Sequence, residues 1–155
     1  MAEYSANATQ TVNPGESVVF TISPVPCNRG FIRWRPNSGV FNLSGWTPRR
    51  PSCGCRRENS AIYAVSYGAN IAVPTGETVG AISLALAIDG VTLNDSITIE
   101  NPAAVEEYNS VSKTVSVPVW NGCCQTVTLR NISTIPILVQ NPVINFSRPD
   151  LAVTY

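Results

Sequence analysis

The chain has 155 residues, a formal net charge of zero and no histidine, and it is long enough to bury the core of one domain. Charged residues make up only 13% of it, against about 25% in ordinary soluble domains. A surface so poor in charge suggests that other subunits cover part of it, although a merely Thr- and Ser-rich β surface would give the same composition. The missing histidine excludes Ser-His-Asp and Cys-His nucleophile pairs, so we predict that the protein is not an enzyme.

Period-two alternation dominates the chain and helical periodicity is nearly absent, which predicts an all-β protein. In chain order the predicted strands cover residues 17–23, 31–35, 40–43, 62–67, 71–73, 78–88, 91–93, 96–100, 110–120, 125–131, 137–140 and 143–146. Turns are predicted at Asp89-Gly90, Asn121-Gly122, Ser133-Thr134 and Asn141-Pro142, and 102–107 suits one helical turn. Short strands without βαβ spacing predict one domain over residues 1–155, a two-sheet antiparallel jelly-roll sandwich of about ten strands.

Charge is unevenly distributed along the chain. Seven of the ten basic residues lie between Arg29 and Arg57, and no acid occurs between Glu16 and Glu58. Such a split favours contacts between unlike regions of identical subunits. A nucleic-acid footprint is the rival interpretation, but the pI is about 6.2 and no binding module is recognisable, so nucleic acid is not an expected partner. Ordinary loop arginines would also account for the pattern.

Five cysteines are the constellation that most invites chemistry: Cys27, Cys53, Cys55, Cys123 and Cys124. Residues two apart in an extended chain face the same way, so Cys53 and Cys55 can converge, whereas adjacent Cys123 and Cys124 face opposite ways. A four-thiolate zinc site is geometrically allowed from Cys27, Cys53, Cys55 and one of Cys123 or Cys124, although the spacing is not the usual C-x₂-C. Disulfides and free thiols are the other two interpretations. Apart from this zinc, no cofactor is predicted.

Tryptophan interleaved with arginine gives a second candidate site. Trp34 and Trp46, with Arg49 and Arg50, could bind a ligand by stacking on bases or sugars. Residues of this kind also pack under loops or at subunit interfaces. Trp120, at the end of a predicted strand, is interpreted as a packing residue.

The N-terminal residues show no basic start and no apolar run, so no signal peptide is predicted and synthesis in a cytoplasm is expected. The longest apolar stretch, around residues 80–88, is too short to span a bilayer. We therefore expect no membrane partner.

The C-terminal part of the chain resembles a known superfamily. The sequences Thr-Val-Ser-Val-Pro-Val-Trp-Asn-Gly from Thr114 and Gln-Thr-Val-Thr-Leu-Arg-Asn-Ile-Ser-Thr-Ile-Pro-Ile-Leu-Val from Gln125 resemble the last strands of the tumour-necrosis-factor-like (TNF-like) jelly roll. The run from Gly80 through Asp89-Gly90 is similar to the bacterial and phage branch, which includes the heads of collagen-like spore-surface proteins. The resemblance covers roughly residues 63–146 and implies a homotrimer around a three-fold axis. No collagen-like Gly-X-Y repeat occurs in the sequence, so no stalk is expected, and the Arg-rich 29–57 segment departs from the pattern.

The resemblance also suggests a biological setting. It implies a structural protein of a phage virion, as a capsid decoration, fibre head or tail-associated protein, which would contact capsid or appendage subunits. The alternative is a carbohydrate- or receptor-binding module on a phage, bacterial cell or spore surface.

Overall fold

The computed structural model describes residues 1–27, 29–47 and 60–149. Within these ranges the chain forms twelve strands and one short 3₁₀ turn at Asn94–Ser96, without an α-helix. The strands are β1 (Ala2–Ser5), β2 (Gln10–Val12), β3 (Ile22–Val25), β4 (Ile32–Trp34), β5 (Phe41–Ser44), β6 (Ser60–Ala72), β7 (Ile82–Ile88), β8 (Val91–Thr92), β9 (Thr98–Glu100), β10 (Asn109–Trp120), β11 (Cys124–Asn131) and β12 (Ile137–Ser147).

The strands form two sheets in which every pairing is antiparallel. The first sheet has the order β10-β6-β12-β1-β3, and β2 pairs with β12 beside β1. The second sheet has the order β4-β5-β11-β7-β8, and β9 pairs with β7 beside β8. Sequence neighbours are therefore often separated in space, as two-sheet jelly rolls require.

The core lies between the sheets because each long strand turns its apolar side chains to one face. Along β6 the buried side chains alternate with partly exposed ones. Phe20, Phe41 and Phe146 are essentially inaccessible to solvent, and the Tyr4 ring centroid lies 4.8 Å from that of Phe41. The predicted fold class, a two-sheet antiparallel jelly-roll sandwich, is confirmed.

Two predicted breaks are wrong because the chain continues through them. The predicted strands 62–67 and 71–73 are one strand, β6, since Gly68 pairs with Ser112 and Val143 in the middle of the sheet. The predicted turn at Asn141-Pro142 is a bulge within β12, where the register shifts between Gln140 and Val143. Proline cannot donate to a ladder, and a bulge accommodates it there without ending the strand.

The N-terminal third departs most from expectation. Strands β1 and β2 were not predicted, and most of the predicted strand 17–23 is absent, since Ser17 and Phe20 form only isolated bridges before β3 begins. The Gln10 side chain explains part of this difference. Its amide accepts a hydrogen bond from Val19 N at 2.8 Å and donates one to Val19 O at 2.9 Å, so a side chain replaces a neighbouring strand as the partner of that backbone.

Two further boundaries differ from prediction. The predicted strand 78–88 begins only at Ile82, the first residue of β7. Residues 103–106 form a bend and a turn and not a helical turn, and the Glu107 carboxylate accepts hydrogen bonds from the N–H groups of Ala103 and Ala104. Glu106 has a φ of 57°, which is outside the right-handed helical region.

Across the described ranges, no helix is both long enough and apolar enough to cross a membrane.

Candidate functional site

Several chain segments converge at one end of the sandwich, which we call the site end. The pairing of β6 with β10 joins Ser60 to Trp120, and the pairing of β5 with β11 joins Ser44 to Cys124. The same end holds the start of β1, the end of β3 and the end of β12. Residues from distant parts of the sequence therefore meet there.

Arg148 lies at the centre of the site end, just after β12. Its side chain is 9% exposed, and its guanidinium carbon is 5.2 Å from the Phe31 ring centroid and 4.9 Å from that of Tyr63. Both distances are within the range of cation–π attraction. Arg148 Nη1 also donates a 3.1 Å hydrogen bond to the carbonyl oxygen of Trp46. One cation thereby links β12 to the segments before β4 and after β5.

Tyr63 supports this cluster from the core side. Its hydroxyl lies 2.6 Å from the carbonyl oxygen of Ser44 and 3.2 Å from that of Phe31, so its single proton serves one of two acceptors on neighbouring strands. Burial raises the pKa of the Tyr63 hydroxyl, and hydrogen bonding and charge from Arg148 offset part of that rise. The neutral hydroxyl is therefore the form that holds the two segments together.

The segment after β5 is fixed by a close backbone approach. Gly45 N donates a 2.8 Å hydrogen bond to Cys123 O, and a side chain at Gly45 would collide with the carbonyl of Trp120. Only glycine allows this contact. Trp46 follows immediately, and it is 52% exposed although its ring stacks on Phe31 with centroids 5.6 Å apart and planes 20° apart.

A cavity of about 400 Å³ opens beside the cluster. It lies between the end of β3, the start of β4 and the end of β12. Cys27, Arg29, Phe31, Tyr63 and Arg148 line it together with apolar side chains. Phe31 belongs both to the group of side chains around Arg148 and to the cavity lining, so the two form one continuous region.

The structure separates the predicted ligand residues. Trp46 is exposed at the site end, whereas Trp34 packs against the core, with ring centroids 4.9 Å from Tyr4, and donates its indole N–H to Ser38 O at 3.0 Å. Trp34 is partly buried against the core, and its predicted role in ligand binding stays a prediction. Arg49 and Arg50 lie outside the described residues, and their predicted role stays a prediction.

The interpretation of Trp120 as a packing residue is wrong, because its side chain is 61% exposed. Alternation along β10 gives the reason. Val117 and Val119 are buried, so the residue that follows them points outward. Trp120 therefore adds a second exposed tryptophan at the site end.

The cysteines are only partly described. Cys27 is a partly buried free thiol at the cavity, and Cys123 and Cys124 are exposed free thiols. Cys53 and Cys55 lie outside the described residues, and the predicted zinc site depends on both. Within the described ranges no group of three or more His, Cys, Asp or Glu side chains could hold a metal ion. The zinc and disulfide interpretations stay predictions.

Sequence reasoning missed the residues that build the site end. Phe31 and Tyr63 followed the alternation expected of core residues, and Arg148 had no local signal. Its partner Trp46 is 102 positions away in the chain. A contact over that separation depends on strand order, which local patterns do not encode.

The outward side of the first sheet is a second distinctive surface. Three long neighbouring strands present outward side chains without any formal charge, and we call this surface the uncharged face. Its central members are Ile62, Ala64, Ser66, Gly68 and Asn70 on β6, Ser112, Thr114, Ser116 and Pro118 on β10, and Leu138, Gln140, Val143, Asn145 and Ser147 on β12. Small side chains dominate it, so it is flat.

Comparisons with known proteins give a structural relationship. No family model matches the chain, and no curated protein matches it. The globular domain of the zebrafish complement 1qA protein superposes with a TM-score of 0.63 at 14% identity, covering 95% of this chain and 94% of that one. A sugar-binding protein, the EclA C-terminal domain, aligns with a TM-score of only 0.40 at 14% identity, covering 90% of this chain and 80% of that one.

The similarity to the complement domain extends over nearly the whole of both chains. It confirms the TNF-like jelly roll implied by the sequence resemblance. Membership of a bacterial or phage branch gains no support from these comparisons and stays a proposal. The chain has the fold of the complement 1q globular domain.

Proposed function

We propose that the chain is a non-enzymatic binding and structural module that assembles as a homotrimer through its uncharged face. The observation that carries the proposal is the absence of charge on the outward side chains of β6, β10 and β12. Interface cores are depleted in charge relative to the remaining protein surface. A solvent-exposed sheet face usually carries charged residues that keep it soluble.

The size of the face supports the same proposal. Strands about 4.8 Å apart, each rising about 3.3 Å per residue, give three strands of eleven to thirteen residues a face of roughly 15 Å by 40 Å. Stable interfaces bury about 800 Å² per partner. The three strands supply most of this area. The neighbouring strand β1 places Glu3 beside Asn145, so the uncharged face ends at that strand.

A cyclic trimer fits the chain's own features. The TNF-like resemblance implies three-fold assembly, and three subunits around an axis bury a continuous surface on each of them. Closed rings arise when an interface joins two unlike patches. The uncharged face is one of these two patches, and a different surface of the neighbouring subunit covers it.

A charge placed at the centre of the uncharged face tests the proposal. Ser66 lies on β6, opposite Thr114 on one side and Asn145 on the other. Ser66→Glu would bury an unpaired carboxylate in the interface, which costs several kcal/mol, and we expect it to give monomers in sedimentation velocity. Asn42→Glu, at an exposed position on the outward face of the second sheet beside Arg33, is the matched control and should remain trimeric. If Ser66→Glu also stays trimeric, the uncharged face is not the interface.

The biological setting is a finer proposal that rests on the sequence resemblance. We place the trimer on a phage particle, as a decoration, fibre head or tail-associated protein, with a bacterial cell or spore surface as the alternative. Mass spectrometry of density-purified particles should recover the chain in a fixed ratio to the major capsid protein. Its recovery only in the particle-free fraction would contradict the virion assignment.

A further inference from the structure

The cavity at the site end has the size and lining of a small-ligand site. Its volume of about 400 Å³ lies within the range of about 300–1,000 Å³ common for such sites. Val25, Pro26 and Phe146 provide apolar walls, and Arg29 and Arg148 provide guanidinium groups. Met1 and Ser147 also line the cavity. A few polar groups among apolar walls are what orients a ligand.

The charge of the lining indicates the sign of the ligand. Within the described part of the chain, the lining carries two guanidinium groups and no carboxylate. Arg29 is exposed at the cavity, so its planar fork can pair with an incoming carboxylate through two hydrogen bonds. Arg148, held against Phe31 and Tyr63, adds positive potential in a partly enclosed space where charge acts more strongly than in open water.

Trp46 indicates the rest of the ligand. Its ring is 52% exposed and is held by stacking on Phe31 and by the hydrogen bond from Arg148 to its carbonyl oxygen. A flat, fixed aromatic surface loses little entropy on binding and suits the apolar C–H face of a sugar ring. Phe31 contacts Trp46 and also lines the cavity, so the tryptophan ring lies beside the cavity wall.

We infer that the site end binds an acidic saccharide, with a uronate carboxylate in the cavity against Arg29 and an adjoining sugar ring on Trp46. The inference rests on the proposed role as a binding module and does not depend on trimer formation. A nucleic acid would present a repeated row of phosphates, which requires a longer row of cations. A compact cavity of this size fits one carboxylate better.

Two disaccharides that differ only in one carboxylate test the inference. Cellobiouronic acid, glucuronic acid linked to glucose, should bind the purified full-length chain with a Kd on the order of 1 mM in calorimetry. Cellobiose should bind about tenfold more weakly or not at all, since it lacks the charged partner of Arg29. Acetate should bind more weakly than cellobiouronic acid, because it lacks the ring that stacks on Trp46.

Matched variants locate the site. Arg29→Ala and Trp46→Ala should each weaken binding of cellobiouronic acid about tenfold, while Trp46→Phe keeps a stacking surface and retains most of the affinity. Arg33→Ala removes an exposed arginine on β4 outside the cavity and should bind as the unaltered chain does. The unfolding midpoints of Arg29→Ala and Arg33→Ala should be unchanged, since both arginines are exposed. Trp46→Ala loses the stacking on Phe31 and should be destabilised by about 1 kcal/mol, so its binding is measured well below its unfolding midpoint.

Several results would overturn the inference. The first is that cellobiose or acetate binds as tightly as cellobiouronic acid. The second is that cellobiouronic acid gives no heat of binding at a few tens of millimolar. The third is that Arg29→Ala and Arg33→Ala lose the same affinity for cellobiouronic acid. The mass of the same sample separates this failure from that of the proposed assembly. A trimer without binding refutes the saccharide site alone, and a monomer that binds refutes the trimer alone.

Discussion

Gly45 is the position where a single methyl group should do the most damage at the site end. A Cβ there would lie 1.8 Å from the Trp120 carbonyl oxygen, whereas ordinary contact begins at 3.4 Å. The two backbones would have to separate by about 1.5 Å, which breaks the hydrogen bond from Gly45 N to Cys123 O. The lost hydrogen bond costs about 1–3 kcal/mol, and residual strain adds a similar amount. We expect Gly45→Ala to lower the free energy of unfolding by about 2–5 kcal/mol.

Urea denaturation of Gly45→Ala, at the same protein concentration as the unaltered chain, measures this loss. Gly80→Ala is the matched control, because no described atom lies within 4 Å of a Cβ at that position and its φ suits an ordinary residue. That control should change stability by about 1 kcal/mol or less, and in the stabilising direction. Equal stability of the two variants would refute the assigned backbone approach between the segment after β5 and the β10–β11 turn.

Two further predictions concern buried polar groups. Ser96 is fully buried, and its Oγ accepts a hydrogen bond from Leu86 N at 2.8 Å and donates one to Leu93 O at 2.6 Å. Ser96→Ala should therefore lower the free energy of unfolding, measured by urea denaturation, by about 2 kcal/mol. An unchanged midpoint would contradict these hydrogen bonds. Burial raises the pKa of Tyr4 to about 12 and also raises those of Tyr63 and Tyr67. The unfolded chain therefore loses these protons first, near pH 10, so stability should hold below that pH and fall towards pH 12, by about 2–3 kcal/mol for Tyr4. Tyr4→Phe should show a shallower decline, and an equally steep one would refute the assignment to Tyr4.

Much of the fold could be predicted because period-two alternation is a local property of each strand. The Asp89-Gly90 turn was predictable for a similar reason. Both residues have positive φ, 49° and 85°, and this dipeptide tolerates that conformation well. The same alternation indicates that Trp120 points outward, since Val119 before it is buried. The prediction that Trp120 packs was wrong because it relied on the apolar character of tryptophan and not on this alternation.

The site end was harder to predict because its contacts are not local. Arg148 reaches Phe31, Trp46 and Tyr63 only after β12 has paired with β6 and the two sheets have packed. Trp34 and Trp46 look alike in sequence, yet Trp34 is partly buried against the core and Trp46 is exposed. The β4–β5 pairing makes that distinction, because it places Trp34 opposite Phe41.

The central claim is self-association, and the mass in solution tests it most directly. Light scattering on the purified chain, at several concentrations and with and without reductant, should give about 50 kDa from three chains of 16.6 kDa each. The mass should not change with reductant, because the uncharged face contains no cysteine. A mass near 16.6 kDa at every concentration would contradict the account.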